Sequence, residues 1–149
     1  LAALYQPILR EHGIEVSDEV AGKAAGIMKE RAQLTTDLWD LTSYFFIAPT
    51  QYEEKQTRKY WKGDNPAILR ELRGVLEGID DFSKENTERI VHAWIEEKGY
   101  GMGQVMNTLR LALVGAGKGP GMYDVTEFIG REETLRRIDY LLDNLKPAE

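Results

Sequence analysis

The chain has 149 residues, of which 42% are hydrophobic, and this is enough to bury the core of one domain or of two small lobes. It has no cysteine, which excludes disulfides, thiolate metal sites and cysteine nucleophiles and agrees with a reducing compartment. Its formal net charge of −6 argues against a protein that neutralises the phosphates of duplex nucleic acid broadly. No segment approaches the roughly 18 consecutive apolar residues of a membrane span, so we expect a cytoplasmic protein.

Apolar residues recur at helical spacing along most of the chain, and no segment alternates as a strand would, so the predicted fold class is all-α. The chain starts at Leu1 inside such a pattern and without an initiator methionine, so we expect it to be a piece of a longer protein. A first helix is predicted over residues 2–12 and ends at Gly13. Ser17 caps a second helix, whose apolar stripe consists of Val20, Ala24, Ile27 and Met28. A third helix carries Leu38, Leu41 and Phe45 and ends before Pro49.

Residues 51–65 are polar, charged and weakly periodic, and we therefore place a boundary between two helical lobes, 1–62 and 63–149, at this point. Asn65 and Pro66 predict the capped start of the next helix. Two more helices follow, one ending at Gly99 and one over residues 103–114. A glycine-rich segment at 115–121 then leads into a short helix that Gly130 closes and a last helix over residues 131–144. The whole is a bundle or cage of about eight helices in two lobes.

Several kinds of functional site are excluded or disfavoured by the residues present. The glycine-rich segment is not a Walker loop, because that motif requires glycine where Ala112 stands and serine or threonine where Gly119 stands. His92 and Glu96 have the spacing of a metal site, but a solvated helix face explains them better. We find no Ser-His-Asp arrangement and therefore predict no catalytic residue and no metal site. The glycine turn can present backbone N–H groups at a helix start, with Pro120 in its first turn.

The second half of the chain contains short motifs in a fixed order. They are Leu-Arg-Leu-Ala-Leu at 109–113, Gly-Pro-Gly-Met-Tyr at 119–123 after the glycine turn, and Ile-Gly-Arg-Glu at 129–132 before the last helix. In order and spacing they resemble the carboxy-terminal, anticodon-binding region of bacterial-type glutamyl-tRNA synthetases. Met-Lys-Glu-Arg at 28–31 and residues 34–46 are more weakly similar to the first anticodon-binding lobe of that family.

The resemblance implies that two helical lobes form a cage around the anticodon loop of tRNA(Glu), in a monomer that binds neither DNA nor membranes. The RNA-binding residues that it implies are Arg31, Arg110, Gly119, Pro120, Gly121, Met122 and Tyr123. It also implies a preceding Rossmann-type domain in the parent enzyme, a glutamate–tRNA ligase that uses ATP and magnesium. The signature segments of that domain are missing here, so we expect this chain alone to have no ligase activity and no cofactor.

Each of these side chains also has a structural interpretation. Arg31 could cap a helix or pair with Glu30 or Asp37, Arg110 could hold the glycine turn, and Met122 and Tyr123 could be core residues. For the whole chain, the acidic balance supports an alternative, a helical protein-interaction module with no RNA role. A related synthetase that charges both glutamate and glutamine tRNAs stays open as well.

Arg31 is the residue that we expect to select the tRNA. Glutamate anticodons end in cytosine, which offers neighbouring acceptors, whereas glutamine anticodons end in guanine, whose corresponding edge presents donors. An arginine has only donors, in a fork suited to the cytosine edge. We therefore predict a discriminating protein in which Arg31 favours cytosine and disfavours guanine.

Overall fold

The computed structural model describes Leu9, Gly13, Ile14, residues 17–28 and residues 43–147. Across these residues the secondary-structure elements are six α-helices and one 3₁₀ turn, which confirms the predicted all-α class. The chain divides into two compact units, residues 1–47 and residues 48–149. No helix within the described part of the chain is both long and apolar enough to cross a membrane.

The described part of the first unit contains one helix and one short turn. Helix α1 spans Asp18–Met28, and the hydroxyl of Ser17 accepts a hydrogen bond from the N–H of Val20 at 3.3 Å, as predicted for a capping residue. Gly13 has a φ of 77°, and the N–H of Ile14 donates to the carbonyl of Leu9, as at a helix that ends in a left-handed glycine. The 3₁₀ turn is Ser43–Phe45. The predicted helix through Leu38 and Leu41 lies outside the described residues.

One position in the predicted stripe of α1 is wrong. Val20 is 36% exposed, whereas Ala21 and Ala24 are fully buried. Ala24 is buried as predicted, and the side chains of Ile27 and Met28 lie outside the described residues.

The second unit contains five helices: α2 Glu54–Tyr60, α3 Asn65–Glu77, α4 Lys84–Lys98, α5 Met102–Val114 and α6 Met122–Asn144. Helices α3, α5 and α6 pack on one another and form the centre of the unit. The fully buried large side chains of this core are Trp61, Leu69, Leu72, Leu76, Leu109, Leu111, Leu113 and Ile138. Gly130 interrupts α6 with φ 86° and ψ 168°, a conformation that essentially only glycine adopts, so the predicted break at this residue is confirmed.

The sequence pattern missed α2. Its seven residues bury no side chain completely, so the apolar periodicity that indicates a helix is absent from them. Trp61 directly after α2 is 1% exposed, and its indole N–H donates to the carbonyl of Leu145 at 2.8 Å. These contacts tie α2 into the second unit, so the structural division at 47/48 differs from the predicted division into residues 1–62 and 63–149.

Asn65 does not have the predicted capping role. The N-cap residue of α3 is Asp64, and Pro66 lies in the first turn as expected. The Asn65 side chain is buried instead: its amide nitrogen donates to the carbonyl of Tyr60, and its amide oxygen accepts from Gln104. Asparagine is suited to this position because its side-chain amide has both donors and an acceptor. Its two hydrogen bonds join the end of α2 to α3 and α5.

Candidate nucleic-acid interface

The glycine turn at 115–121 begins at the carboxyl end of α5. Gly115 has a φ of 80°, and its N–H donates to the carbonyls of Leu111 at 2.9 Å and Arg110 at 3.3 Å. The turn therefore starts with a left-handed glycine that satisfies the last carbonyls of the helix.

Arg110 holds the turn from the side of α5. Its Nη1 donates to the carbonyl of Lys118 at 3.0 Å and to that of Pro120 at 2.8 Å. The guanidinium thus fixes two points of the turn backbone with a planar donor group. Of the two roles that the sequence left open for Arg110, the structure shows the positional one, and contact with RNA stays a prediction.

A second support lies on the other side of the turn, in the segment that leads into α2. The N–H of Glu53 donates to the carbonyl of Gly115 at 2.7 Å. A methyl group placed on Gly115 would lie 2.8 Å from Cβ of Pro49 and 2.9 Å from the carbonyl of Gln51, and one on Gly117 would lie 2.6 Å from the amide nitrogen of Gln56. Glycine is therefore required at Gly115, where backbone and a proline ring approach closely, whereas at Gly117 the end of the flexible Gln56 side chain would have to move.

The turn leaves into α6 through Gly121, which is the N-cap residue with φ −58° and ψ 147°. Pro120 therefore precedes the helix, and its predicted place in the first turn is wrong. Its carbonyl accepts from Arg110, and the extended backbone of Gly121 separates it from the helix, which starts at Met122. Asp124 in the first turn of α6 pairs with Lys84 at 3.0 Å, and this contact raises the pKa of Lys84.

The turn exposes mostly backbone to solvent. Gly117, Lys118 and Gly121 are exposed and Gly119 is half-buried, whereas Pro120 is buried. Glycines have no side chain to cover their N–H and C=O groups, so a ligand can approach these groups closely. A segment held at both sides and bare at its tip is suited to hydrogen bonding with unpaired bases.

Met122 and Tyr123 lie inside the second unit, only 2% and 7% exposed. The Tyr123 ring packs edge-on against His92 with a centroid distance of 5.3 Å. Its hydroxyl is buried with no hydrogen-bond partner among the described residues. Burial, with a smaller contribution from the charge of Glu88, raises the pKa of Tyr123 above its ordinary value. These contacts favour the core interpretation that the sequence left open, and base stacking by Tyr123 stays a prediction.

Arg31 lies outside the described residues. Its predicted contact with the third anticodon base and its predicted place on the same surface as the glycine turn therefore stay predictions. Of the seven predicted RNA-binding residues, the structure brings together Arg110, Gly119, Pro120, Gly121, Met122 and Tyr123 in and around one turn.

Two supporting residues were missed by sequence reasoning. One is Gln56, whose amide lies against Gly117 in the structure. Nothing in the sequence of this polar segment predicts that contact. The other is Arg137, which is 2% exposed and donates to the carbonyl of Leu113 at 2.9 Å and to the carboxylate of Glu133 at 2.8 Å. Burial, together with the neighbouring charge of Arg136, lowers the pKa of Arg137 to about 10, so it stays charged at neutral pH. The i, i+4 spacing of Glu133 and Arg137 in the sequence could have predicted this ion pair.

The described part of the chain was predicted to hold no metal site. Within it, no group of three or more histidine, aspartate or glutamate side chains is placed to hold a metal ion. His92, which has the spacing of a metal ligand with Glu96, instead contacts the Tyr123 ring.

The chain is similar to known proteins over almost its whole length. A family model described as anticodon binding domain matches residues 1–142. The glutamate–tRNA ligase of Phocaeicola vulgatus is 50% identical over 146 residues, which make up 98% of this chain and 29% of that protein. The glutamate–tRNA ligase of Bacteroides fragilis is 47% identical over the same shares of the two chains. The chain thus spans less than a third of the length of these relatives.

The solved structures agree with the sequence relatives. A glutamate tRNA ligase from Elizabethkingia meningosepticum, crystallised in complex with its amino acid, has a TM-score of 0.89 and 41% identity over 95% of this chain and 28% of that chain. The corresponding enzyme from Elizabethkingia anophelis has a TM-score of 0.83 and 39% identity over 94% and 27%. The resemblance inferred from the motifs is therefore confirmed. Because the family model covers residues 1–142, the chain belongs to the anticodon-binding domain family.

Proposed function

We propose that this chain binds the anticodon loop of tRNA(Glu) as part of a glutamate–tRNA ligase. The observation that carries the proposal is the glycine turn, whose backbone Arg110 holds from one side and Glu53 from the other while its tip stays exposed. The names of the relatives support the choice of tRNA, since those that match this chain over 98% of its length are glutamate–tRNA ligases.

Fixing the turn before binding favours recognition. A flexible loop loses conformational entropy when it orders on a ligand, and contacts that already hold it reduce this cost. In the proposal, base edges meet the exposed backbone at Gly119 and Gly121, where the carbonyl of Gly121 already accepts from Asp124 and Val125 at the start of α6. Pro120 and Met122 set the course of the chain on either side of Gly121. Arg110 acts by positioning the turn. Since Tyr123 is buried, we assign its ring to the support of the turn, and base stacking by the ring is the alternative that Tyr123→Ala distinguishes.

The proposed tRNA choice rests on Arg31 and on the donor pattern of its guanidinium. At guanine, the N–H donors of Arg31 would face donors of the base. The hydrogen bonds that are then not formed cost about 1–3 kcal/mol. Replacing Arg31 with glutamine, whose amide has one acceptor as well as donors, should therefore narrow the preference for cytosine over guanine by roughly tenfold. Competition between two RNA hairpins that differ only in the third anticodon base measures this ratio. An unchanged ratio means that Arg31 is structural and that the choice is made elsewhere.

The proposal extends to the parent enzyme. In it, the anticodon-binding region forms two lobes of about eight helices in total, in a monomeric cytoplasmic enzyme. ATP and magnesium would act in a separate catalytic domain that attaches glutamate to the tRNA. No residue of this chain is assigned to that chemistry.

Competitive binding of two hairpins to this chain tests the central claim. One hairpin carries the anticodon stem and loop of a glutamate tRNA, and the other has the same stem and an unrelated loop. We expect preference for the first at a fixed salt concentration, because loop bases and not stem phosphates differ between them. Equal affinity for the two would contradict anticodon recognition, and absence of binding to either would favour the acidic protein-interaction module.

A further inference from the structure

We propose that two exposed lysines of α2, Lys55 and Lys59, bind backbone phosphates of the RNA strand whose bases meet the glycine turn. This inference rests on the proposed function and adds to it a site for the backbone of the ligand. Both lysines belong to residues 51–65, the polar segment in which the sequence pattern predicted a boundary between lobes.

The placement of α2 is the first observation. The residue before the helix, Glu53, donates its N–H to Gly115 at 2.7 Å, and the side chain of Gln56 covers Gly117. Lys55 is the neighbour of Gln56 in the chain, and Lys59 follows Gln56 by three residues. Both lysines therefore lie within one helical turn of the side chain that contacts the glycine turn.

The second observation is the distribution of charge around α2. Lys55 and Lys59 are four residues apart and share one face of the helix, and both are exposed. The acidic residue of the first turn, Glu54, pairs with Arg58. Neither lysine forms a salt bridge with a carboxylate of the described residues, and the ammonium of Lys59 lies 5.4 Å from the centroid of the Tyr60 ring. The face therefore keeps its positive charge.

Two like charges at this spacing repel each other and weaken the helix slightly. A phosphate between them removes the repulsion and replaces it with two attractive contacts, so an anionic ligand suits this face better than water alone. Lysine acts here as a mobile point charge, and phosphate contacts carry no base sequence. The lysines should therefore contribute affinity and no choice between anticodons.

Charge also explains why the ligand would approach this end of α5. The chain carries a net charge of −6, so a polyanion is repelled by most of it and needs a local basic surface. At the amino end of α5, the groove beside Gly99 is lined by Asp64 and Glu71. The carboxyl end instead has α2, which meets the turn through Glu53 and Gln56 and carries the two exposed lysines.

The test compares salt dependence among variants that each lose one positive charge: Lys55→Gln, Lys59→Gln and, as the matched control, Lys98→Gln. Lys98 is 45% exposed at the end of α4 and lies 3.8 Å from Glu71, at the acidic groove. The Kd for the glutamate hairpin and for the hairpin with the unrelated loop is measured with this chain at several salt concentrations. Unfolding by urea checks that each variant keeps its stability.

Replacing a lysine that binds a phosphate should lower the slope of log Kd against log salt by about 0.7. In a further variant that combines Lys55→Gln and Lys59→Gln, the slope should fall by about 1.4. Over a tenfold rise in salt, the affinity of the unaltered chain should then fall about 25-fold more than that of the combined variant. The preference between the two hairpins should not change, and Lys98→Gln should keep the original slope.

Slopes unchanged by Lys55→Gln and Lys59→Gln would overturn the phosphate site and leave anticodon recognition intact. An equal loss for Lys98→Gln would also overturn it, because a general charge effect would then explain the result. If the unaltered chain shows no preference for the glutamate hairpin while the slopes still fall as expected, anticodon recognition fails and the phosphate site stands. Absence of all binding would overturn both.

Discussion

The two glycine turns that flank α5 start with the same backbone conformation and lie in different surroundings. Gly99 ends α4 with a φ of 73°, and Gly115 ends α5 with a φ of 80°. No other described residue comes within 4 Å of a methyl group placed on Gly99, and a groove of about 320 Å³ beside it is lined by the acidic residues Asp64 and Glu71. The turn at Gly115 is in contact with Pro49 and Gln51.

This difference shows that a left-handed glycine at a helix end is a structural feature that says nothing about binding by itself. What separates the two turns is the support around them and the sign of the nearby charge. Arg110 and Glu53 hold the second turn, whereas the first has open space and carboxylates. A rigid, bare backbone beside cationic side chains suits RNA, and an open, acidic turn does not.

The largest expected difference between the turns concerns their tyrosines. Tyr123→Ala should lower the free energy of unfolding by about 3–5 kcal/mol, because a ring that is 7% exposed is replaced by a cavity. Tyr100→Ala at the first turn should cost about 1 kcal/mol, since that ring is half-buried against Trp94. Urea unfolding measures both. Weaker hairpin binding by Tyr123→Ala without loss of stability would instead identify the ring as a base-stacking group.

Next in size is the cost of a methyl group on each glycine. Gly115→Ala combines a left-handed φ with contacts of 2.8 Å and 2.9 Å to Pro49 and Gln51, so we expect a loss of about 3 kcal/mol. Gly99→Ala has the strained φ alone and should cost about 1–2 kcal/mol. Thermal unfolding of the two variants provides the comparison. Equal losses would show that the contacts around Gly115 yield easily and do not support the turn.

A smaller effect should separate the polar contacts at the two ends of α5. Arg110→Met removes the donor to Lys118 and Pro120, so the turn loosens and hairpin affinity should fall about tenfold, or about 1.4 kcal/mol. Gln104→Met at the other end leaves the buried amide oxygen of Asn65 without this donor. It should lower stability by about 1 kcal/mol and leave hairpin affinity unchanged. Equal affinity for RNA in the two variants would contradict the positioning role of Arg110.

The smallest effect at neutral pH is that of the Tyr123 hydroxyl, whose contribution to stability changes only at high pH. Because burial raises the pKa of Tyr123 above 10.0, its contribution to stability is complete below that pH and is lost as the pH rises further. The free energy of unfolding should fall by up to about 1.4 kcal/mol per pH unit from this group. Tyr123→Phe should remove that part of the decline, whereas Tyr100→Phe should change it less, since the Tyr100 hydroxyl donates to the exposed Glu71. Identical pH profiles for Tyr123→Phe and the unaltered chain would place the hydroxyl in water.

The fold class and several helix ends, which depend on neighbouring residues in the chain, were predicted correctly. The all-α class follows from apolar spacing, and Ser17, Gly99 and Gly130 mark helix ends because capping and left-handed backbone are local properties. The order of the motifs around the glycine turn was likewise enough to identify the anticodon-binding family.

Features that depend on distant contacts were decided only by the tertiary structure. Asparagine is a common N-cap residue. Only the burial of Asn65 between Tyr60 and Gln104 shows that its side chain instead joins helices. Helix α2 has no buried stripe, so its formation depends on packing against the turn that follows α5. Burial of Tyr123 and Arg137 depends on which helices meet, and the pattern along one helix does not contain that information. The sequence by itself therefore determined the family and the helix ends at Ser17, Gly99 and Gly130, while the packing decided which side chains support the turn and which stay exposed.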